Sequence, residues 1–238
     1  MPVNELLLAA AVVVIFGSVL LWYRLFGDTG LMAFTVFATI TANIEVLILV
    51  DAYGMEMTLG NILFASTFLV TDILSEVSGK KAAERAVRLG ILTSALFIVV
   101  SQSWLLYRPA PSDWVSPAMR EVFSNTPRMM IASLAVYAIA QVFDVWLYHK
   151  WWALTERLSG DRRRFLWLRN NGSTLISQLL NAILFTLFAF YGTYDGKTLV
   201  SVVLSSYVIF IVTSLLDTPV VYLARRIAEK RADGQNTV

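Results

Sequence analysis

Cysteine is absent from the 238 residues, which excludes disulfides, thiolate metal sites and cysteine nucleophiles. A single histidine, His149, argues against a histidine-based metal centre or haem ligation. Charge is scarce at 15% of residues, and the net charge of +2 names no partner by itself. A glycine-rich phosphate loop is missing, so the chain cannot hydrolyse ATP alone. Apolar residues, in contrast, make up 57% of the chain. With a mean hydropathy of +0.65, it falls outside the soluble globular range.

Seven apolar stretches of spanning length account for nearly all of the chain. They run Leu6–Tyr23, Leu31–Val50, Leu59–Leu74, Leu89–Tyr107, Met129–Tyr148, Ser173–Tyr191 and Leu199–Tyr222. No separate soluble domain is left over, so an ATPase or a nucleic-acid-binding module would be another polypeptide. The odd-numbered loops and the tail hold fifteen of the nineteen Lys and Arg. The positive-inside rule then places the N-terminus outside and the C-terminus in the cytoplasm. Trp22 and Tyr23, Trp104 and Tyr107, Trp146 and Tyr148, and Tyr191 fall near span ends, where amphipathic rings settle. The first span lacks a basic leading region and exceeds the usual signal-peptide core, so it reads as retained. Four prolines between Arg108 and Arg128 predict an ordered external turn or short helix.

The polar residues inside these spans are costly to embed, roughly 2.5–3.5 kcal/mol for a charge at a helix centre. Tyr137, Gln141, Asp144 and Tyr148 share one face of the fifth span. Asn170, Thr174, Ser177 and Asn181 share one face of the sixth, with Asn171 and Gln178 on a neighbouring stripe. Asp72 and Glu76 are one turn apart in the third. Ser206, Thr213 and Asp217 line the seventh, where Thr218-Pro219 is expected to interrupt the helix. Asn43 and Glu45 lie deep in the second, facing nearly opposite ways. Two readings compete. Ser and Thr often satisfy their own backbone or join helices, Asp72, Glu76 and Asp217 are close enough to the cytoplasmic edge to meet Lys80, Arg225 or water, and Arg169 to Asn171 suit a helix cap. The sharper reading is that the acids and amides converge on one pocket.

Thr71-Asp72-Ile73-Leu74-Ser75-Glu76-Val77-Ser78-Gly79-Lys80-Lys81-Ala82-Ala83 resembles the signature of the queuosine precursor transporter family, also called the vitamin uptake transporter family. Gln141-Val142-Phe143-Asp144-Val145, then Trp167-Leu168-Arg169-Asn170-Asn171 with Ser173-Thr174 and Ser177-Gln178, continue the resemblance. Asp217-Thr218-Pro219 with Tyr222 closes it. One block alone is weak, but four in order from about Leu31 to Arg226 are specific. The resemblance implies uptake of a 7-deazapurine for tRNA modification by an inner (cytoplasmic) membrane protein. It also implies an all-α polytopic fold whose six-helix core, residues 31–226, is similar to the substrate-binding components of energy-coupling factor transporters. Residues 1–30 then form an additional transmembrane helix and 227–238 a cytoplasmic tail. Asn181 and Phe210 depart from the family's pattern, which often has aspartate and lysine there.

A deazaguanine offers adjacent N–H donors that one carboxylate can accept together, which makes Asp144 or Asp72 the candidate. Amides at Asn43, Gln141, Asn171, Gln178 or Asn181 suit its carbonyl and ring nitrogens, and Tyr137 or Phe68 its flat face. Glu76 and Asp217 complete the candidate set. The expected partners are a small planar nucleobase-like substrate and the lipid bilayer. A homodimer, or a separate ATPase and coupling protein for which this chain is the binding subunit, is compatible with the same sequence, as is another small planar nucleobase or vitamin as cargo. No nucleic acid, cofactor or metal is expected. Retinal binding is excluded because the last span holds no lysine, with Lys197 at its edge and Phe210 in its middle. Intramembrane hydrolysis is disfavoured, since His149 has no evident serine partner.

Overall fold

The structure, a computed structural model, describes residues 2–124, 127–161 and 164–235. Arg162 and Arg163, counted in the basic fifth loop, lie outside them. The elements are α1 (Pro2–Phe26), α2 (Asp28–Glu45), β1 (Leu49–Ala52), β2 (Met55–Thr58), α3 (Asn61–Val77), α4 (Lys80–Trp104), α5 (Ser116–Ser124), α6 (Pro127–Ser159), α7 (Leu166–Phe190) and α8 (Gly196–Gln235).

The bundle is apolar outside and polar inside, the reverse of a water-soluble protein. Leu92, Leu96 and Val99 form an exposed stripe along α4, and Leu204, Val208 and Val212 another along α8. Within, Asp72, Gln141, Asp144, Arg169 and Asn170 are fully buried. With no water in hydrocarbon, such groups depend on neighbouring helices for their partners.

Helix α3 is the axis, packed against α1, α2, α4, α6 and α8. Thirteen of its seventeen residues are buried. Among the described residues, five helices (α1, α4, α6, α7 and α8) are long and apolar enough to cross a membrane by themselves. The sequence count of seven also included α2 and α3. Both are short, and both spend their polarity internally. In α2, Thr35, Thr39 and Thr41 donate to the carbonyls of Leu31, Thr35 and Phe37 at 2.8–3.0 Å. Helix α3, sheathed by its neighbours, needs little lipid-compatible surface of its own.

Three expectations need correction. The second span stops at Glu45 rather than Val50, because Leu49 and Val50 enter a β-hairpin. Its strands pair antiparallel from Leu49↔Thr58 to Ala52↔Met55. Tyr53 and Gly54 turn the chain with φ of 53° and 73°, the left-handed pair that tight hairpins require. Second, Thr218-Pro219 does not interrupt α8, which continues through it to Gln235. Neighbouring helices tolerate proline in a membrane segment. Third, α4 begins at Lys80, nine residues before the apolar run, and α6 extends eleven beyond Tyr148. The short helix foreseen between Arg108 and Arg128 is α5. Asp113 precedes it, and its carboxylate accepts the Ser116 hydroxyl and the backbone N–H groups of Ser116 and Val115, which hold its pKa below the ordinary aspartate value.

The α1–α2 corner turns at Gly27, φ 63°. Just beyond it, a Cβ on Gly30 would run into the Trp22 carbonyl group. Backbone cannot yield as a side-chain tip does, so Gly30→Ala should cost about 1–3 kcal/mol. A lower melting temperature of the purified protein checks this, with Gly17→Ala, which meets nothing, as the control.

Candidate functional site

Helices α3, α6 and α8 run one way and α7 the other, so their polar residues stack in matching levels. At the C-terminal end of α3, Arg169 grips Glu76 with Nε and Nη2 at 2.7–3.0 Å. Arg225 adds a contact at 3.3 Å and the Tyr148 hydroxyl donates at 2.8 Å. Arg169 also donates to the Arg164 carbonyl and stacks over Trp152, 4.4 Å from the ring centre. This clasp joins α3, α6, α7 and α8. Arg169 lies in the first turn of α7, facing inward, and is more than a cap. Glu76 meets Arg225 as its sequence position allowed, while Lys80 pairs with Glu84 instead.

About 6 Å further along α3 lies Asp72. Thr174 of α7 donates to its Oδ2 at 2.9 Å. Asp144 of α6 faces Asp72 together with Ser173 and Ser177. Those serines, however, spend their hydroxyl protons on the α7 backbone. Oδ1 of Asp72 and both oxygens of Asp144 therefore lack a donor among the described residues. Asp217 of α8 completes the group, taking a 2.7 Å bond from Asn170, while Asn171 donates to Thr218 at 2.7 Å. Three buried carboxyls thus share one level with few donors. Burying such groups without partners is unfavourable.

At the next level Gln141 bridges α6 to α3. Its Nε2 donates to Thr67 at 2.7 Å, and its Oε1 accepts from Thr71 at 3.2 Å. Asn43 donates to the Thr39 carbonyl and to Ser94 at 2.7 and 2.8 Å, which ties α2 to α4. Above Gln141 comes an aromatic layer. Phe64 contacts Phe68, Tyr137 and Phe210 at ring separations of 5.6, 5.9 and 6.3 Å. Tyr137 lies across Gly90 of α4, where any side chain would collide with it.

Beyond this layer opens a cavity of about 510 Å³. The hairpin, the start of α3 and the outer halves of α6, α7 and α8 enclose it. Phe64, Phe185, Phe190, Phe210 and Tyr194 supply flat walls; Glu56, Asn61, Ser133, Asn181, Ser201 and Ser205 supply polar points. Asn181 and Phe210, the two positions that depart from the family pattern, both face this space. Of the other candidates, none lines it. Asn181 sits about 10 Å along α7 from Thr174, with a 3.5 Å contact to Gln178. Instead of one shared pocket, the structure has a cavity above and a carboxyl level below, with aromatic rings between. The hairpin escaped the sequence reading because it continues an apolar run, and Asn61, Ser133 and Ser201 because they sit near the start of their spans, where a polar residue draws no notice.

A polytopic membrane bundle with a ligand-sized cavity, and unsatisfied buried acids beyond an aromatic layer, is an arrangement that suits a transporter. Residues 58–224 match the family model described as "Putative vitamin uptake transporter", and the chain belongs to that family. It is 38% identical over 208 residues to "Probable queuosine precursor transporter" of Bacillus subtilis (strain 168), covering 87% of this chain and 89% of that one. No solved structure matches the chain.

Proposed function

We propose that this protein imports a queuosine precursor, a 7-deazapurine such as 7-cyano-7-deazaguanine, 7-aminomethyl-7-deazaguanine or queuine, for salvage into tRNA modification. The observation that carries this reading is the set of three buried carboxylate oxygens without donors, on Asp72 and Asp144. A deazaguanine brings adjacent N–H groups on one edge, and a carboxylate accepts both. The identity to the Bacillus protein supports the substrate class. The cavity has the size range of small-molecule sites, and its aromatic walls suit a flat bicyclic guest.

In this reading the substrate enters the cavity, Phe64 and Phe210 part, and its donor edge reaches Asp72 and Asp144. Amides from Gln178, Asn171 or Gln141 then read its acceptors, and Asp217 steadies the level through Asn170. Release follows when the Glu76–Arg169 clasp opens on the other side. The arrangement crosses the membrane seven times, α2 and α3 included, with the N-terminus outside and the C-terminus in the cytoplasm. Residues 31–226 form a six-helix core of the energy-coupling factor type, with 1–30 as the added helix and 227–238 as the tail.

Radiolabelled precursor uptake in cells unable to make it tests the proposal. The wild type should restore accumulation, and Asp72→Ala combined with Asp144→Ala should return it to background. Unchanged uptake in that double variant overturns the site. Absence of uptake by well-expressed wild type overturns the substrate.

A further inference from the structure

On the outer surface, α1 and α8 lie side by side at the end of the bundle that carries the Glu76 clasp. Between them lies an apolar groove of about 430 Å³ lined by Leu20, Leu21, Leu223 and Ile227. Its mouth carries three cations, Arg24, Arg226 and Lys230. Leu223, Arg226, Ile227 and Lys230 follow i, i+3, i+4, i+7 spacing on one stripe of α8, so greasy and basic residues alternate along the same face.

The neighbouring charges are already engaged. Arg225 serves Glu76 and Glu229, and Arg231 reaches the Arg24 carbonyl and lies 5.4 Å over the Tyr23 ring. That tie holds the two helices together beside the groove. Arg24, Arg226 and Lys230 have no acidic partner within 4.0 Å among the described residues. Arg226 and Lys230 are like charges at i, i+4, an arrangement that weakens a helix until an anion lies between them. A bilayer supplies one ligand with an anionic head at that depth and acyl chains alongside: a phospholipid of net negative charge.

We propose that this groove is a binding site for one anionic phospholipid, its phosphate held by Arg24, Arg226 and Lys230 and one acyl chain lying along Leu20, Leu21, Leu223 and Ile227. The site is separate from the transport path. Each basic residue near a membrane surface adds measurably to anionic-lipid attraction, so three converging on one phosphate should prefer it over a zwitterionic lipid by about tenfold or more.

The full-length protein is purified in detergent, and retained phosphatidylglycerol and phosphatidylcholine are counted by native mass spectrometry after titration with each. Wild type should hold one phosphatidylglycerol with the stated preference. Arg24→Gln, Arg226→Gln and Lys230→Gln together should abolish the preference. Lys81→Gln, Arg85→Gln and Arg88→Gln together, exposed on α4, should leave it intact. Leu223→Trp, which fills the groove and keeps every charge, should also lose the bound lipid. No preference in wild type, its survival in the first triple variant, or equal loss in both triple variants overturns the proposal.

Discussion

Arg169→Ala should unfold the bundle more readily than any other single change, at a cost of about 3–5 kcal/mol. The guanidinium is fully buried and makes three bonds to Glu76, one to a carbonyl and a stacking contact on Trp152. Removing it strands the Glu76 carboxylate with only Arg225 and Tyr148 beside it. For a chain of this length that cost corresponds to a melting temperature lower by about 10 °C. Arg169→Lys keeps the charge but loses the fork, so it should fall between the two. Arg169→Met combined with Glu76→Gln should recover part of the loss, since no lone charge remains. A melting temperature of Arg169→Ala within a degree of wild type would remove the clasp from any account of stability.

Asp144→Asn should act in the opposite sense on the fold and strongly on transport. Its carboxylate is buried without a donor, so an amide of the same shape removes an unfavourable ionisable group. The melting temperature should hold or rise. Uptake should drop by about 10–100-fold, the equivalent of one charge-assisted hydrogen bond of roughly 1.5–3 kcal/mol. Stability that rises while function falls is the mark of a group kept unsatisfied for a ligand. Asp144→Asn that lowers both together, with uptake falling only as protein is lost, would instead make Asp144 a packing residue.

Helical periodicity made much of this legible. Tyr137, Gln141, Asp144 and Tyr148 do lie on one inward face of α6, and Asn170, Thr174, Ser177 and Asn181 on one face of α7. The paired levels were not legible. Glu76 and Arg169 are 93 residues apart, and local pattern carries no register between α3 and α7. The hairpin was hidden for a different reason. Leu47 to Val50 continues the apolar run of the preceding helix, so hydropathy sees one span; only Glu45 and the Tyr53-Gly54 pair mark the change. The cavity followed it out of view, because the hairpin forms part of its wall.

That wall is moored from the far end of the chain. Asn4 of α1 donates to the Asp51 carbonyl at 2.9 Å, and the Tyr53 N–H donates to Glu5 at 3.1 Å. Leu8 packs beside Ala52 and Met57 beneath them. Helix α1 is therefore a guy-rope for the cavity wall. Its loss frees the hairpin and bares the faces of α2 and α3 that pack on it, so a molecule trimmed of residues 1–26 should capture its cargo poorly at low concentration.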